Sequence, residues 1–391
     1  MKRETYKLKQ LCSEIVDCVN KTAPTSDVPT PYKMLRTSDI REGKINLENL
    51  NCVTKEVYEK WTRRGKLQKG DVIFTREAPL GEVGLVREEK NYFLGQRLVL
   101  FRANNKMCDG RFLMYSLLWH DNKQAIISKG VGSTVAHLRV PECENIEIKV
   151  PDLDVQHRIV DILSAYDDLI ENNQKQIKLL EEAAQRLYKE WFVDLRFPGH
   201  ENTKIVDGVP EGWKKERLVD IAEIQYGYAF DGTLFNADKN GTPIIRIRNI
   251  PQAETMDYTT EHVSENYLVQ NGEIIVGMDG EFHINAWAGN TAYLVQRVCC
   301  IRPKNTEIKG WLLQAIYEPI KFFERTVVGA TVAHLGKKHL DSIYLLTSPE
   351  EFYEPFKTFF DKRLLLMNQN RKLREARDRL LPKLMSGEVE V

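Results

Sequence analysis

This chain of 391 residues has no long apolar run: nothing in it approaches the roughly eighteen consecutive apolar residues of a membrane span. Its opening residues, Met1 to Gln10, carry charges throughout, so the sequence predicts a soluble, cytoplasmic chain. None of its seven cysteines pairs with another at the two-residue spacing of zinc and redox sites. Even the adjacent Cys299 and Cys300 therefore read as reduced thiols, and no metal is expected. A Gly-rich loop ending in Gly-Lys-Ser or Gly-Lys-Thr is missing, which argues against a nucleotide triphosphatase. So are two histidines four apart with a glutamate between them, which argues against a zinc hydrolase. Pro29-Thr30-Pro31-Tyr32 lacks the leading Asn or Asp and the adjacent prolines of an amino-methyltransferase loop, and reads as a turn or strand entry.

Net charge is lacking as well, with 56 basic and 56 acidic side chains, but their distribution is uneven. Residues 1–150 carry 26 basic and 19 acidic groups, a net of +7, and alone suit a phosphate backbone. A free-standing nucleic-acid binder is usually more basic, so this balance predicts weak DNA affinity without a partner.

What the chain does have is an internal repeat. Gly95-Gln96-Arg97-Leu98-Val99-Leu100-Phe101-Arg102 returns as Val295-Gln296-Arg297-Val298-Cys299-Cys300-Ile301-Arg302, 200 residues later. Val131 to Leu138 returns as Val328 to Leu335 with seven of eight residues unchanged. A period of this size means a duplicated domain, not a solenoid. Within each copy, short β-rich runs such as Asp71 to Phe74, Arg97 to Phe101, Glu273 to Val276 and Arg297 to Ile301 lie between glycine or proline turns. Arg111 to His120 and Trp311 to Phe323 read as helices. The class is α+β.

A long helix follows each copy. Val155, Ile159, Ile162, Tyr166, Leu169, Ile177, Leu180, Ala184, Leu187 and Trp191 mark one face of a helix roughly 55 Å long, with Asn173 in its seam. A second seam runs through Phe352, Phe356, Phe359, Leu366, Asn370, Leu373, Leu380 and Leu384. One of its columns reads Phe356, Arg363, Asn370, Arg377, Leu384 and wants acidic or polar groups opposite. Pro382 is expected to end or kink this helix near Leu381. The layout predicted is residues 1–151 as one globular domain, 152–197 as a central spacer helix, 198–348 as a second domain and 349–391 as a C-terminal spacer helix. Packing the helices antiparallel makes a pseudo-twofold dumb-bell.

Catalytic signals are few. His137 and His334 hold equivalent repeat positions, but no carboxylate or cysteine accompanies the histidine in both copies of the sequence, so they and Thr134 and Thr331 read as turn residues. The loops after a strand are richer: Thr75 to Glu82 contains Arg76 and Glu77, and its counterpart contains Asp279, Glu281, His283 and Asn285. Such side chains can read base edges. Arg36, Arg41, Lys44, Arg63, Arg64 and Lys66 in the first copy, and Arg246, Arg248 and Asn249 in the second, add candidate DNA contacts. Tyr188, Trp191 and Phe192 are more aromatic surface than a two-helix seam can bury and are expected to bind a partner.

Together Thr75 to Val86, Gly95-Gln96-Arg97, Gly132 to Leu138, Arg158-Ile159-Val160-Asp161-Ile162-Leu163, Leu179 to Phe192 and Leu380 to Glu388 resemble the specificity subunit of type I restriction-modification systems. The resemblance covers nearly the whole chain. It implies two target-recognition domains, each reading one half of a split asymmetric DNA site, and two helices that bind two methyltransferase subunits and, through them, restriction subunits. It also implies that S-adenosylmethionine, ATP and Mg serve those partner subunits and that this chain carries no catalytic residue. One departure is Pro151 with Asp152 and Asp154 where the family has a pair of prolines before the central helix. The competing readings are a DNA methyltransferase or nuclease with unrecognised motifs, and a coiled-coil scaffold without sequence readout.

Overall fold

The computed structural model describes residues 2–132, 136–326 and 333–391. It divides into two compact units, one of Met1–Asp168 with Arg374–Val391 and the other of Leu169–Leu373. The division falls inside both long helices, so each unit takes a segment of each.

The first unit is built on a four-stranded antiparallel sheet in the order Cys12–Asp17, Leu98–Ala103, Val72–Thr75, Val83–Leu85. Its strands read as almost unbroken apolar runs because both faces are covered. Val72, Phe74, Val99 and Phe101 belong to one core, whereas Ile73, Leu98 and Leu100 face another. A smaller sheet pairs Lys33–Leu35 with Tyr92–Leu94 in parallel, and Glu4–Lys7 pairs antiparallel with Glu147–Val150.

The second unit repeats this order with Ala222–Tyr226, Val298–Pro303, Ile274–Gly277 and Ile284–Ala286. It has the same parallel pair, Thr242–Ile245 with Ala292–Leu294, and the same edge pair, Lys214–Arg217 with Tyr344–Thr347. Cys299 and Cys300 are neighbours on one strand and therefore point into opposite cores. Burial pushes the Cys299 thiol up to about 12, which keeps it an uncharged packing group.

The central helix spans Leu153–Tyr188 and passes into a π-helical turn at Lys189–Val193. Asp152 settles its start, since its Oδ1 accepts from the Val155 N–H at 3.0 Å. The C-terminal helix spans Glu354–Ser386 and continues through Pro382, so the proline does not end it. Leu384 and Met385 beyond the proline are buried in the first unit's core, and Arg3 donates to the carbonyls of both. Burial and capping outweigh the one hydrogen bond that proline removes so near the helix end.

In the second unit the two helix segments run antiparallel: Asn173 meets Asn370, Glu181 meets Arg363 and Tyr188 meets Phe356. In the first unit Asp167 meets Arg377 at 2.7 Å. The column of Arg363, Asn370 and Arg377 thus faces acidic and polar groups, as its composition requires. The buried stripe departs from the expected set most at Leu169, which is 45% exposed while Ile170 is fully buried. Among the described residues no helix is long and apolar enough to cross a membrane.

Candidate nucleic-acid interface

In each unit three loops meet at the exit of one sheet strand, Val72–Thr75 in the first and Ile274–Gly277 in the second. Arg97 and Arg297 stand at the same turn, with φ of +68° and +70°. Their carbonyls accept from Arg76 and Met278, both at 2.8 Å, and the carbonyls of Arg76 and Met278 accept in turn from Leu138 and Leu335. Glu77 bridges to His137 and Asp279 to His334 in the same antiparallel manner. In the second unit the Asp279 carboxylate also meets the His334 ring, whereas Glu77 and His137 meet through their backbones. Asp279 is saturated: its Oδ2 lies 2.7 Å from Arg297 Nη1 and its Oδ1 2.5 Å from His334 Nδ1. In the first unit Arg97 Nε lies 3.3 Å from Glu77. Thr134 and Thr331 lie outside the described residues.

Several expected DNA contacts turn out to be internal. Arg76 is half-buried against Asp17 and the Leu138 carbonyl, at 3.1 and 3.2 Å, and holds the loop to its neighbours. Asn285 is buried, donating to the carbonyls of Ile250 and Pro251 and accepting from Arg363 at 2.7 Å. Lys44 is partly buried, and that burial holds its ammonium below the usual lysine range despite the pull of Asp167. Asn285 is scaffold, since an amide committed inside a low-dielectric core cannot also reach a base edge, while Arg76 and Lys44 are half-buried.

The remaining candidates stay near solvent. Arg36 forks onto Asp39 at 2.9 and 3.1 Å, and this pairing raises its pKa. Arg41 is exposed beside Glu82 at 3.7 Å. Arg248 is 61% exposed and pairs with Asp257. Asn249 caps the Arg246 N–H at 2.8 Å, and Arg246 lies over the Phe235 ring. Glu281 is exposed at the loop tip, 3.6 Å from the half-buried His283.

The model of the type I restriction modification DNA specificity domain matches residues 4–182 and again residues 210–351, once for each copy of the duplicated sheet. The chain belongs to this specificity family. It is similar to the specificity subunit of the type I restriction enzyme MjaIX of Methanocaldococcus jannaschii, 26% identical over 344 residues that cover 83% of this chain and 78% of that one. It is also similar to the HindI specificity subunit of Haemophilus influenzae, 22% identical with 91% and 94% covered. Its fold resembles the crystal structure of the type I restriction-modification S subunit from M. genitalium, with a TM-score of 0.60 at 17% identity, covering 98% of this chain and 96% of that one.

As a type I specificity subunit the chain recognises DNA sequence within a larger complex. Its helix aromatics are not the exposed cluster expected of a docking face. Phe192 is 5% exposed, stacked on Tyr188 at 5.3 Å and packed on Trp213, Trp311 and Phe356. Trp191 sits edge-on to Phe352 and Phe356. These rings fill the core of their own recognition domain, because the helix end is roofed by the strand and helix that follow it. Tyr188, with its hydroxyl pushed up to about 12 by burial, also lines a groove of about 760 Å³. At the groove mouth Val193, Tyr317 and Tyr344 are exposed.

Proposed function

We propose that this subunit reads a bipartite, asymmetric DNA site, one recognition domain to each half-site. Two methyltransferase subunits dock on its helices, and restriction subunits join through them. This chain performs no bond-making step and binds no cofactor. S-adenosylmethionine, ATP and Mg serve the partner subunits, and the complex works in the cytoplasm. One observation carries the reading: two loop clusters share one hydrogen-bonded framework but present different tips. Ala78-Pro79 stands in the first unit where Gly280-Glu281 stands in the second. A common frame with divergent tips suits two readers of different sequence. Of the three helix aromatics Tyr188 and Phe192 line the open groove, so the docking reading rests on the groove mouth beside them.

Reconstitution with the methyltransferase subunits, followed by mapping of methylated adenines, tests this. Glu281→Ala with His283→Ala leaves the Asp279 cluster intact and is expected to relax the bases read in one half-site while the other half stays specified. Val193→Asp at the groove mouth is expected to stop co-elution of the methyltransferase. An unchanged methylation pattern sinks the loop assignment, and unchanged co-elution sinks the docking one. Stoichiometric binding of S-adenosylmethionine to the isolated chain would make it the methyltransferase itself.

A further inference from the structure

Gln96-Arg97 in the first unit and Gln296-Arg297 in the second are the same dipeptide, exposed at the same turn. Both arginines hold the left-handed backbone region, at φ +68° and +70°, which disfavours any residue with a side chain. Glycine would relieve that strain, yet arginine stands at both turns. Strained residues held by surrounding structure concentrate at ligand clamps. Here the hold is specific: the turn carbonyl is bonded to the neighbouring loop in both units, and Glu77 or Asp279 fixes one edge of the guanidinium. The side chains are nonetheless 51% and 65% exposed. Each guanidinium is thus held by one carboxylate while much of its side chain stays open to solvent.

We propose that Arg97 and Arg297 are equivalent phosphate clamps, one for each half-site, that set the register in which the divergent loop tips meet the bases. This rests on the half-site reading above. An identical residue in two domains that read different bases suits what the half-sites share throughout, the sugar–phosphate backbone. Guanidinium suits that role because its planar fork grips phosphate oxygens in pairs. Glu77 and Asp279 are then positioning residues, and they offset charge that would otherwise favour indiscriminate binding.

The test uses the full chain assembled with its methyltransferase subunits, a duplex carrying the mapped methylation site and a scrambled duplex of equal length. Affinity is measured across a salt series for the parental complex and for Arg97→Gln, Arg297→Gln and the double variant. Each substitution is expected to reduce the slope of log K against log salt by about 0.9, and the double variant by about 1.8. Binding to both duplexes should weaken by the same factor, so discrimination is kept, and Arg97→Lys and Arg297→Lys should restore the slope. A purely structural arginine would lower the melting temperature and leave the slope alone. A base-reading arginine would collapse discrimination at one position. Either result overturns the clamp. A parental complex that does not distinguish the two duplexes overturns the half-site reading instead.

Discussion

Asp167 is 5% exposed, and both of its oxygens are taken, one by the Tyr115 hydroxyl at 2.6 Å and one by Arg377 at 2.7 Å. Replacing it by alanine takes one of two carboxylates from the largely buried Arg377, which keeps Asp378, and leaves the buried Tyr115 hydroxyl without its acceptor, at a cost of about 1–3 kcal/mol. Asp167→Ala is therefore expected to lower the melting temperature of the chain, with Asp167→Asn milder because it can still accept from one partner. A melt within a degree of the parent would show that the pair contributes nothing. At this scale the sequence misled where charge was taken for surface. Arg76, Lys44 and Asn285 have the composition of DNA readers, yet Asn285 is buried and the other two half-buried, and nothing in residue type shows this until a partner arrives from far along the chain.

The helices were far more legible, because periodicity needs only local residues. Asn173 donates to Asn370 at 2.9 Å in a buried seam, and Asn370 donates on to the Ile170 carbonyl. Asn173→Leu alone leaves a buried amide short of a partner, at a cost of about 1–3 kcal/mol. Asn173→Leu with Asn370→Leu replaces the polar pair with apolar packing and is expected to melt higher than either single variant, and at or above the parent. Thermal melts of the four proteins close the cycle. Additive effects of the two substitutions would mean that the amides are not coupled. The seam's departure at Leu169 and Ile170 follows from geometry too, since a helix of 3.6 residues per turn drifts against a strict heptad and moves the buried stripe by one position.

At the scale of the whole chain, the repeat leads to a prediction about a fragment. Residues 1–197 hold one recognition domain and one long helix. They lack the Leu384 and Met385 that the first unit buries in its core. A second copy can offer its own helix instead, so the fragment is expected to form a homodimer through that helix. The dimer should be weaker than the intact pairing because Asn173 and Tyr166 would meet copies of their own helix. With methyltransferase subunits it should methylate a palindrome of the first half-site and its inverted copy. Light scattering and methylation mapping check both points. A dimer that binds the partner yet methylates only the original asymmetric site would refute the equivalence of the two halves.

By itself the sequence determined the duplication, the α+β class, the two long helices and the polar column between them. Each is written in identity at a fixed offset or in a local period. Only the tertiary structure decided what the charged loops do. It buried Asn285 and half-buried Arg76, carried the C-terminal helix through Pro382 by burying and capping its last turn, and folded the helix aromatics against a domain core. It also brought Glu77 to His137 and Asp279 to His334, each with an arginine from a third segment. That cluster joins residues tens of positions apart whose acidic member changes type between the copies, so no linear pattern records it. Its existence depends on strand order, which long-range packing sets.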